Sequence, residues 1–195
     1  MKKQSDIQNQ LNFQDLMQYR IHEILLIASP YDAFILEQDG NLTEQILTEY
    51  LGMNLSYAPR VWNASDANSA FSMLEKRSYD LIIVMMRISD MDPVSLGEKL
   101  REQYPRKPLV LLAFDDSEIK RIDFIKRKIF DEIFIWSGNA NIFPAIIKCI
   151  EDEKNVSKDI KTADVRLIIL IEDTPKYYSM ILPNLYKEII YNTKH

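Results

Sequence analysis

The stretch DLIIVMMRISDMDP, residues 80–93, has the pattern of a central strand in a parallel sheet. Four branched apolar residues, Leu81 to Val84, precede a polar loop that ends at Pro93. Strands covered by helices on both faces have such unbroken apolar runs, and functional groups usually lie at their carboxyl ends. Here that end carries Met85 and Met86, which supply no acid, base or nucleophile.

Similar apolar runs recur along the chain, and segments with helical periodicity separate them. Five strands that alternate with five helices predict an α/β fold, a doubly wound parallel sheet. We predict strands at Ile24 to Ile27, near Pro59 to Trp62, and at Leu81 to Val84, Leu109 to Leu112 and Ile133 to Ile135, with helices at about 32–51, 66–76, 93–104, 116–128 and 140–153.

The chain divides into four predicted parts. Residues 1–20 form an N-terminal extension, in which the spacing of Ile7 and Leu11 favours a short helix, and residues 21–153 form the α/β domain. Residues 154–164 belong to the charged stretch EDEKNVSKDIKTAD, which is typical of a linker or a fraying helix end. Residues 165–195 predict one further strand at Leu167 to Ile171, an acidic turn and a helix.

The composition limits the classes of partner and compartment. A net charge of −5 and a pI near 5.2 argue against binding to nucleic acid or to an anionic membrane surface. Proteins and small molecules remain as partners. One cysteine, Cys149, excludes an intrachain disulfide and a multi-cysteine metal site. No run approaches the roughly 20 apolar residues of a membrane span, and we expect a cytoplasmic protein.

The order of these elements, with ILLIASP opening the sheet and DLIIVMMRISDMDP in its middle, resembles the receiver domain of bacterial response regulators over about residues 23–153. The resemblance implies a flavodoxin-like strand order of 2-1-3-4-5. In that family an acidic pair after the first strand holds magnesium, and an aspartate at the end of the third accepts a phosphoryl group. Thr or Ser ends the fourth strand, and Lys-Pro follows the fifth.

This chain departs from the family pattern at each of those positions. Ala28 and Ser29 stand in place of the acidic pair, and Met85 stands in place of the phosphoacceptor. Ala113 replaces the Thr or Ser, and Trp136 with Ser137 replaces Lys-Pro. We therefore expect a degenerate receiver with no catalytic residue and no cofactor, in which Met85 and Trp136 pack together.

Other acidic residues offer alternatives. Asp90 and Asp92 are candidates for a relocated phosphoacceptor or for helix caps. Glu172 and Asp173, after the run Leu167 to Ile171, look like the acidic pair of a second receiver, which implies an incomplete metal site.

A second resemblance is carried by the stretches YDAFILEQDGNL, IFIWSGNA and TPKYYSMILPNLYKEI. They look like the amino-terminal region of bacterial proteins that end in a phosphoenolpyruvate-synthase or pyruvate-phosphate-dikinase type module. The kinase module itself would lie outside residues 1–195.

Three hypotheses for the function follow. The chain is a regulatory module that acts by protein–protein interaction, or a small-molecule sensor whose vacated site is lined by Ser29, Tyr31, Trp136 and Asn139. It is alternatively the regulatory front of a phosphoenolpyruvate-utilising kinase. We also expect residues 165–195 either to pair with a second copy of the chain or to dock on their own receiver.

Overall fold

The computed structural model describes residues 18–38, 42–52, 58–138, 141–163 and 167–192. The described residues form a parallel sheet in the order β2-β1-β3-β4-β5, which confirms the predicted α/β fold and strand order. Its strands are β1 (Glu23–Ile27), β2 (Arg60–Ala64), β3 (Leu81–Met85), β4 (Leu109–Ala113) and β5 (Glu132–Ile135). The predicted N-terminal extension lies outside the described residues up to residue 17.

Helices cover both faces of this sheet. They are α1 (Pro30–Gln38), α2 (Leu42–Gly52), α3 (Ala67–Lys76), α4 (Pro93–Gln103), α5 (Asp116–Lys120), α6 (Phe124–Arg127), α7 (Ile142–Ala163) and α8 (Pro175–Asn192). The helices predicted at 32–51 and 116–128 are each divided in two. In the second case Asp123 interrupts the helix, because its carboxylate accepts a hydrogen bond from Ile125 N at 2.8 Å and opens α6.

Two apolar cores hold the helices against the sheet. Leu26 and Ile83 face α1, α2 and α7, whereas Leu25 and Ile82 face α3 and α4. This alternation is the period of a strand that is covered on both sides. β3 and β4 are buried along their whole length. Burial on both faces explains the unbroken apolar run at Leu81 to Val84, as the sequence indicated.

Of the two alternatives for residues 154–164, a linker or a helix end, the structure shows helix as far as Ala163, where α7 ends. Two buried polar side chains stabilise the helix there. Asn155 Oδ1 accepts from Tyr19 N and its Nδ2 donates to Tyr19 O, both at 2.8 Å. One turn earlier, Glu151 Oε1 accepts from Ile21 N at 2.8 Å. The chain before β1 is thereby fastened along α7.

The strand predicted at Leu167 to Ile171 is wrong, although the helix after it is confirmed. The residues from 167 to 174 are neither helix nor strand, and the exposed fractions of Leu167, Ile168, Ile169 and Ile171 run from 53% to 90%. A strand needs a neighbour with which to exchange hydrogen bonds, and in the described part of the chain none lies beside this segment.

α8 instead docks on the receiver-like domain of its own chain, which was one of the two alternatives. Leu182 is buried in the core beneath α7, and the ring of Tyr178 stacks on Phe134 with centroids 5.6 Å apart. α8 thus covers part of the outer edge of β5, the last strand of the sheet. Within the described ranges, no helix has the length and apolar character needed to cross a bilayer.

Candidate functional site at the carboxyl edge of the sheet

The carboxyl ends of the parallel strands meet at one edge, and small or apolar residues occupy it. Ala28 follows β1, Met85 ends β3, Ala113 ends β4 and Trp136 follows β5. All four are buried, and Met85 and Trp136 belong to the same apolar core, as the sequence predicted. None of these side chains offers an oxygen to a phosphoryl group or to a metal ion.

Trp136 is fixed at this edge by its backbone and by its ring. Its N–H donates to Ala113 O at 2.8 Å, and its ring meets Phe114 edge to face with centroids 5.3 Å apart. The indole Nε1 is buried and has no hydrogen-bond partner among the described residues. Trp136 therefore contributes apolar packing and leaves one polar atom unsatisfied.

Sequence reasoning missed a buried carboxylate beside this edge. Asp32 lies in the first turn of α1, and none of its surface is exposed. Within the described part of the chain, neither of its carboxylate oxygens accepts a hydrogen bond. Its backbone N–H donates to Ser29 Oγ at 3.1 Å, which fixes the turn between β1 and α1. A buried carboxylate without hydrogen bonds is rare, because the charged form is expensive to desolvate.

Arg87 lies between Asp32 and a second acid. It follows β3 by two residues, and its Nη1 is 3.7 Å from Asp32 Oδ1 while its Nη2 is 3.5 Å from Glu118 Oε1. The guanidinium also lies over the ring of Phe114, at 5.1 Å from the ring centroid. One arginine thus contacts acids from α1 and α5 at once.

Two further hydrogen bonds fasten the segments that carry these three residues. Ser29 N donates to Arg87 O at 3.0 Å, so the loops after β1 and β3 are joined. Glu118 Oε2 accepts from Phe114 N at 2.8 Å, which holds Glu118 against the end of β4. We call Asp32, Arg87 and Glu118 the charged triad.

Burial raises the pKa of the Asp32 carboxyl above its ordinary value. The positive charge of Arg87 and the nearby Ser29 hydroxyl oppose this rise, and the negative charge of Glu118 adds to it. Arg87 is thus the group that most favours the charged form of this buried acid.

The family resemblance implies magnesium at this edge, and the residues present do not fit it. Ala28 has no ligand atom, the Ser29 hydroxyl is engaged with Asp32 N, and Met85 offers only a thioether. The acids that are present, Asp32 and Glu118, already face a cation in Arg87. Across the described ranges, no group of three or more His, Cys, Asp or Glu is placed to hold a metal ion.

The residues predicted to line a ligand site do not share one environment. Tyr31 is 64% exposed on α1, whereas Trp136 is buried in the core. Ser29 bridges the β1 and β3 loops through its backbone. Asn139 lies outside the described residues.

The two aspartates of the β3–α4 loop serve as helix caps. Asp92 caps α4 by accepting from Val94 N and Ser95 N at 3.1 and 3.0 Å. Asp90 caps a different helix, since its carboxylate accepts from Ala67 N and Asn68 N at the start of α3. These bonds are the capping alternative that the sequence left open.

Glu172 and Asp173 lie just before α8. Glu172 Oε1 accepts from Thr174 N at 2.9 Å, and Asp173 Oδ1 accepts from the hydroxyl of Thr174 at 3.2 Å. Both acids line a 410 Å³ pocket that Arg127 and Lys128 also line. At the amino end of a helix, such carboxylates interact favourably with the helix dipole.

The charged triad left a weak signal in the sequence. Asp32 stands in SPYD, just beyond a buried strand, and Arg87 stands two residues after Met85. Charged residues at the carboxyl ends of neighbouring parallel strands are expected to lie close together. Which acid the arginine contacts depends on loop conformations that local spacing does not determine.

The fold is that of the receiver domains of response regulators. The receiver domain of NtrX from Brucella abortus superposes with a TM-score of 0.51 at 16% sequence identity, covering 66% of this chain and 98% of that one. A CheY-like receiver domain from Methylobacillus flagellatus gives a TM-score of 0.50 at 11% identity, covering 67% of this chain and 98% of the other. No protein-family model and no curated protein matches the sequence. At these identities the likeness concerns the fold alone.

Proposed function

We propose that this chain is a receiver-like signalling module that accepts no phosphoryl group and acts by protein–protein interaction. It would be a non-enzymatic, regulatory part of a larger signalling or phosphotransfer protein. The observation that carries the proposal is Met85, a fully buried thioether at the end of β3, where receiver chemistry requires a carboxylate.

Phosphoryl transfer to a carboxylate needs an accessible oxygen nucleophile and a cation that neutralises phosphoryl charge. The acids nearest the edge are engaged elsewhere: Asp90 and Asp92 cap helices, and Asp32 is buried against Arg87. Each would have to give up a contact that stabilises the folded chain. This supports a module whose conformation responds to binding and not to phosphorylation.

The test is incubation of the purified chain with phosphoramidate or acetyl phosphate and magnesium, followed by intact-mass measurement. We expect no added phosphoryl group, while a phosphorylatable receiver treated in parallel gains one. A hydroxylamine-labile phosphoryl adduct on this chain would refute the proposal.

The partner surface that we propose lies beside α8. Phe124 and Ile125 on α6 are 71% and 74% exposed, and the unpaired segment with Ile168, Ile169 and Ile171 is exposed as well. Phe124 and Leu170 line the same pocket, so α6 and the 167–171 segment meet there. Exposed apolar side chains on neighbouring segments are typical of protein interaction sites.

A second copy of the chain is one proposed occupant, through pairing of the two 167–171 segments. Light scattering of the intact chain is expected to report a dimer, and Ile169→Glu is expected to shift it to a monomer. Leu51→Glu, which places the same charge at an exposed site on α2, serves as the control. A monomer at all concentrations would leave a different protein as the partner.

The alternative of small-molecule sensing receives less support. The buried side chains of Met85 and Trp136 pack into the vacated edge, which favours interaction over ligand binding there. The proposal of a phosphoenolpyruvate-utilising kinase downstream rests on the sequence resemblance alone.

A further inference from the structure

Arg87 is the cationic member of the charged triad at the edge of the sheet. Its two terminal nitrogens face different acids, Asp32 at 3.7 Å and Glu118 at 3.5 Å. The side chain of Asp32 is fully buried, that of Glu118 is 12% exposed, and that of Arg87 is 55% exposed. The guanidinium therefore lies between the two buried carboxylates and solvent.

Without that guanidinium, two carboxylates would lie close together in a region with little water. Within the described ranges no donor makes a hydrogen bond to either Asp32 oxygen, and the Ser29 hydroxyl is the one neutral group that favours its charged form. Glu118 accepts one bond, from Phe114 N, and its second oxygen faces Arg87. Two like charges with little access to water repel each other and destabilise the fold unless a cation lies between them.

We infer that Arg87 is the built-in cation of this edge, that it excludes metal ions from the pair Asp32 and Glu118, and that its removal creates a divalent-cation site there. The inference stands on the contacts of Arg87 and does not require the proposed function. Arg87 also joins α1, the loop after β3 and α5 through one side chain.

The chemistry of the pair identifies the kind of cation. Two carboxylates supply hard oxygen ligands, and within the described ranges no His, Cys or third acid joins them in a metal-binding group. Magnesium and manganese are commonly held by one or two carboxylates with water completing the shell.

The experiment compares the melting temperature of the intact chain and of its variants with and without manganese or magnesium. For the natural chain we expect no shift with either ion. For Arg87→Met we expect a lower melting temperature without metal, a concentration-dependent recovery with metal, and a stoichiometric heat of binding by calorimetry. Arg87→Lys, which keeps a positive charge, is expected to show no metal response.

Two controls separate the charge effect from lost packing. Arg77→Met removes another arginine that pairs with an acid, Glu23 at 3.5 Å, and stacks on Trp62, but at the opposite end of the sheet. We expect no metal response from it. The double variant Arg87→Met with Asp32→Asn removes one of the two charges, and we expect it to regain stability without metal and to lose the response.

The outcomes decide the inference. Stabilisation of the natural chain by metal would mean that Arg87 does not occupy the site. An Arg87→Met chain that is as stable as the natural one, or one that folds without responding to metal, would also overturn the inference. If Arg87→Met does not fold without metal, folding of the double variant supports the inference, and failure of the double variant refutes it.

Discussion

Ile135 donates its backbone N–H to the hydroxyl of Ser179 at 2.8 Å, and this bond joins the edge strand β5 to α8. The same hydroxyl donates to Pro175 O at 2.6 Å within its own helix. Ser179 is buried, so both bonds lie away from water. A single hydroxyl thus occupies a position at which a neighbouring strand would otherwise pair.

We expect Ser179→Ala to lower the free energy of unfolding by about 1–3 kcal/mol, because the N–H of Ile135 would remain buried without a partner. Urea unfolding measures the change. Thr162→Ala is the matched control, since its hydroxyl also donates to a carbonyl one turn back, at 2.9 Å, but on an exposed surface. Equal losses for the two variants would contradict a role for Ser179 in docking α8.

Glu132 makes the stability of this region depend on pH. Burial raises the pKa of Glu132 from 4.5 to about 7, and the negative charges of Glu153 and Asp131 add to the rise. The folded chain therefore holds a proton between pH 4.5 and 7 that the unfolded chain releases. The stability associated with this group is present at low pH and is lost as pH rises through 7.

The measurement is urea unfolding across that pH window, with Glu132→Gln as the variant. We expect the variant to be more stable than the natural chain at pH 8 and to have a flatter pH profile. Exposed Glu102→Gln is the control and is expected to keep the natural profile. The charged and titratable groups around Glu132 are Asp131, Glu153, Cys149 on α7, Tyr178 on α8, and the pocket residues Arg127, Lys128, Glu172 and Asp173.

Trp136→Ala is expected to destabilise the chain by about 3–5 kcal/mol, as truncation of a large buried side chain does. Trp136 is 6% exposed and packs against Phe114. Trp62 on β2 is only partly buried, so Trp62→Ala should cost less. A negligible loss at Trp136 in thermal or urea unfolding would favour a ligand or partner at that ring.

Met85→Asp is expected to give no phosphoryl adduct with acetyl phosphate and magnesium, because Ala28 and Ser29 supply no carboxylate to hold the cation. It should also destabilise the fold by roughly 3–5 kcal/mol, the cost of an uncompensated buried charge. Met85→Leu keeps the volume and should cost less than about 1.5 kcal/mol. A hydroxylamine-labile adduct on the aspartate variant would contradict the first expectation.

Four of the five strands were predictable because each is an apolar run in alternation with helices, whereas β2 (RVWNA) is mixed in character and the strand order followed from the family resemblance. Leu81 to Val84 needed no partner information, since burial on both faces is visible in the run itself. The same rule failed at Leu167 to Ile171, which has equal apolar character and no adjacent strand in the described part of the chain. Apolar runs report a preference for burial, and pairing depends on distant segments.

The candidate site shows the same limit of sequence-based prediction for its polar residues. The replacement of acids by Ala28 and Met85 could be read residue by residue, and so could the burial of Trp136. The charged triad could not, because Asp32 on α1, Arg87 after β3 and Glu118 on α5 come from separate segments and meet only in the folded chain. The sequence left residues 154–163 open between a linker and a helix end, because the hydrogen bond between Asn155 and Tyr19 joins positions that are distant in sequence.

The hydrogen bonds from Asn155 and Glu151 to the chain before β1 allow the opening of α7 to be measured outside the helix itself. The amide protons of Tyr19 and Ile21 lie outside helices and strands, yet each is bonded to a side chain of α7. Their exchange with deuterated solvent should be slow only while the middle of α7 is folded and in place. The exchange rates of two amides that are distant in sequence therefore report the opening of α7, a helix to which neither amide belongs.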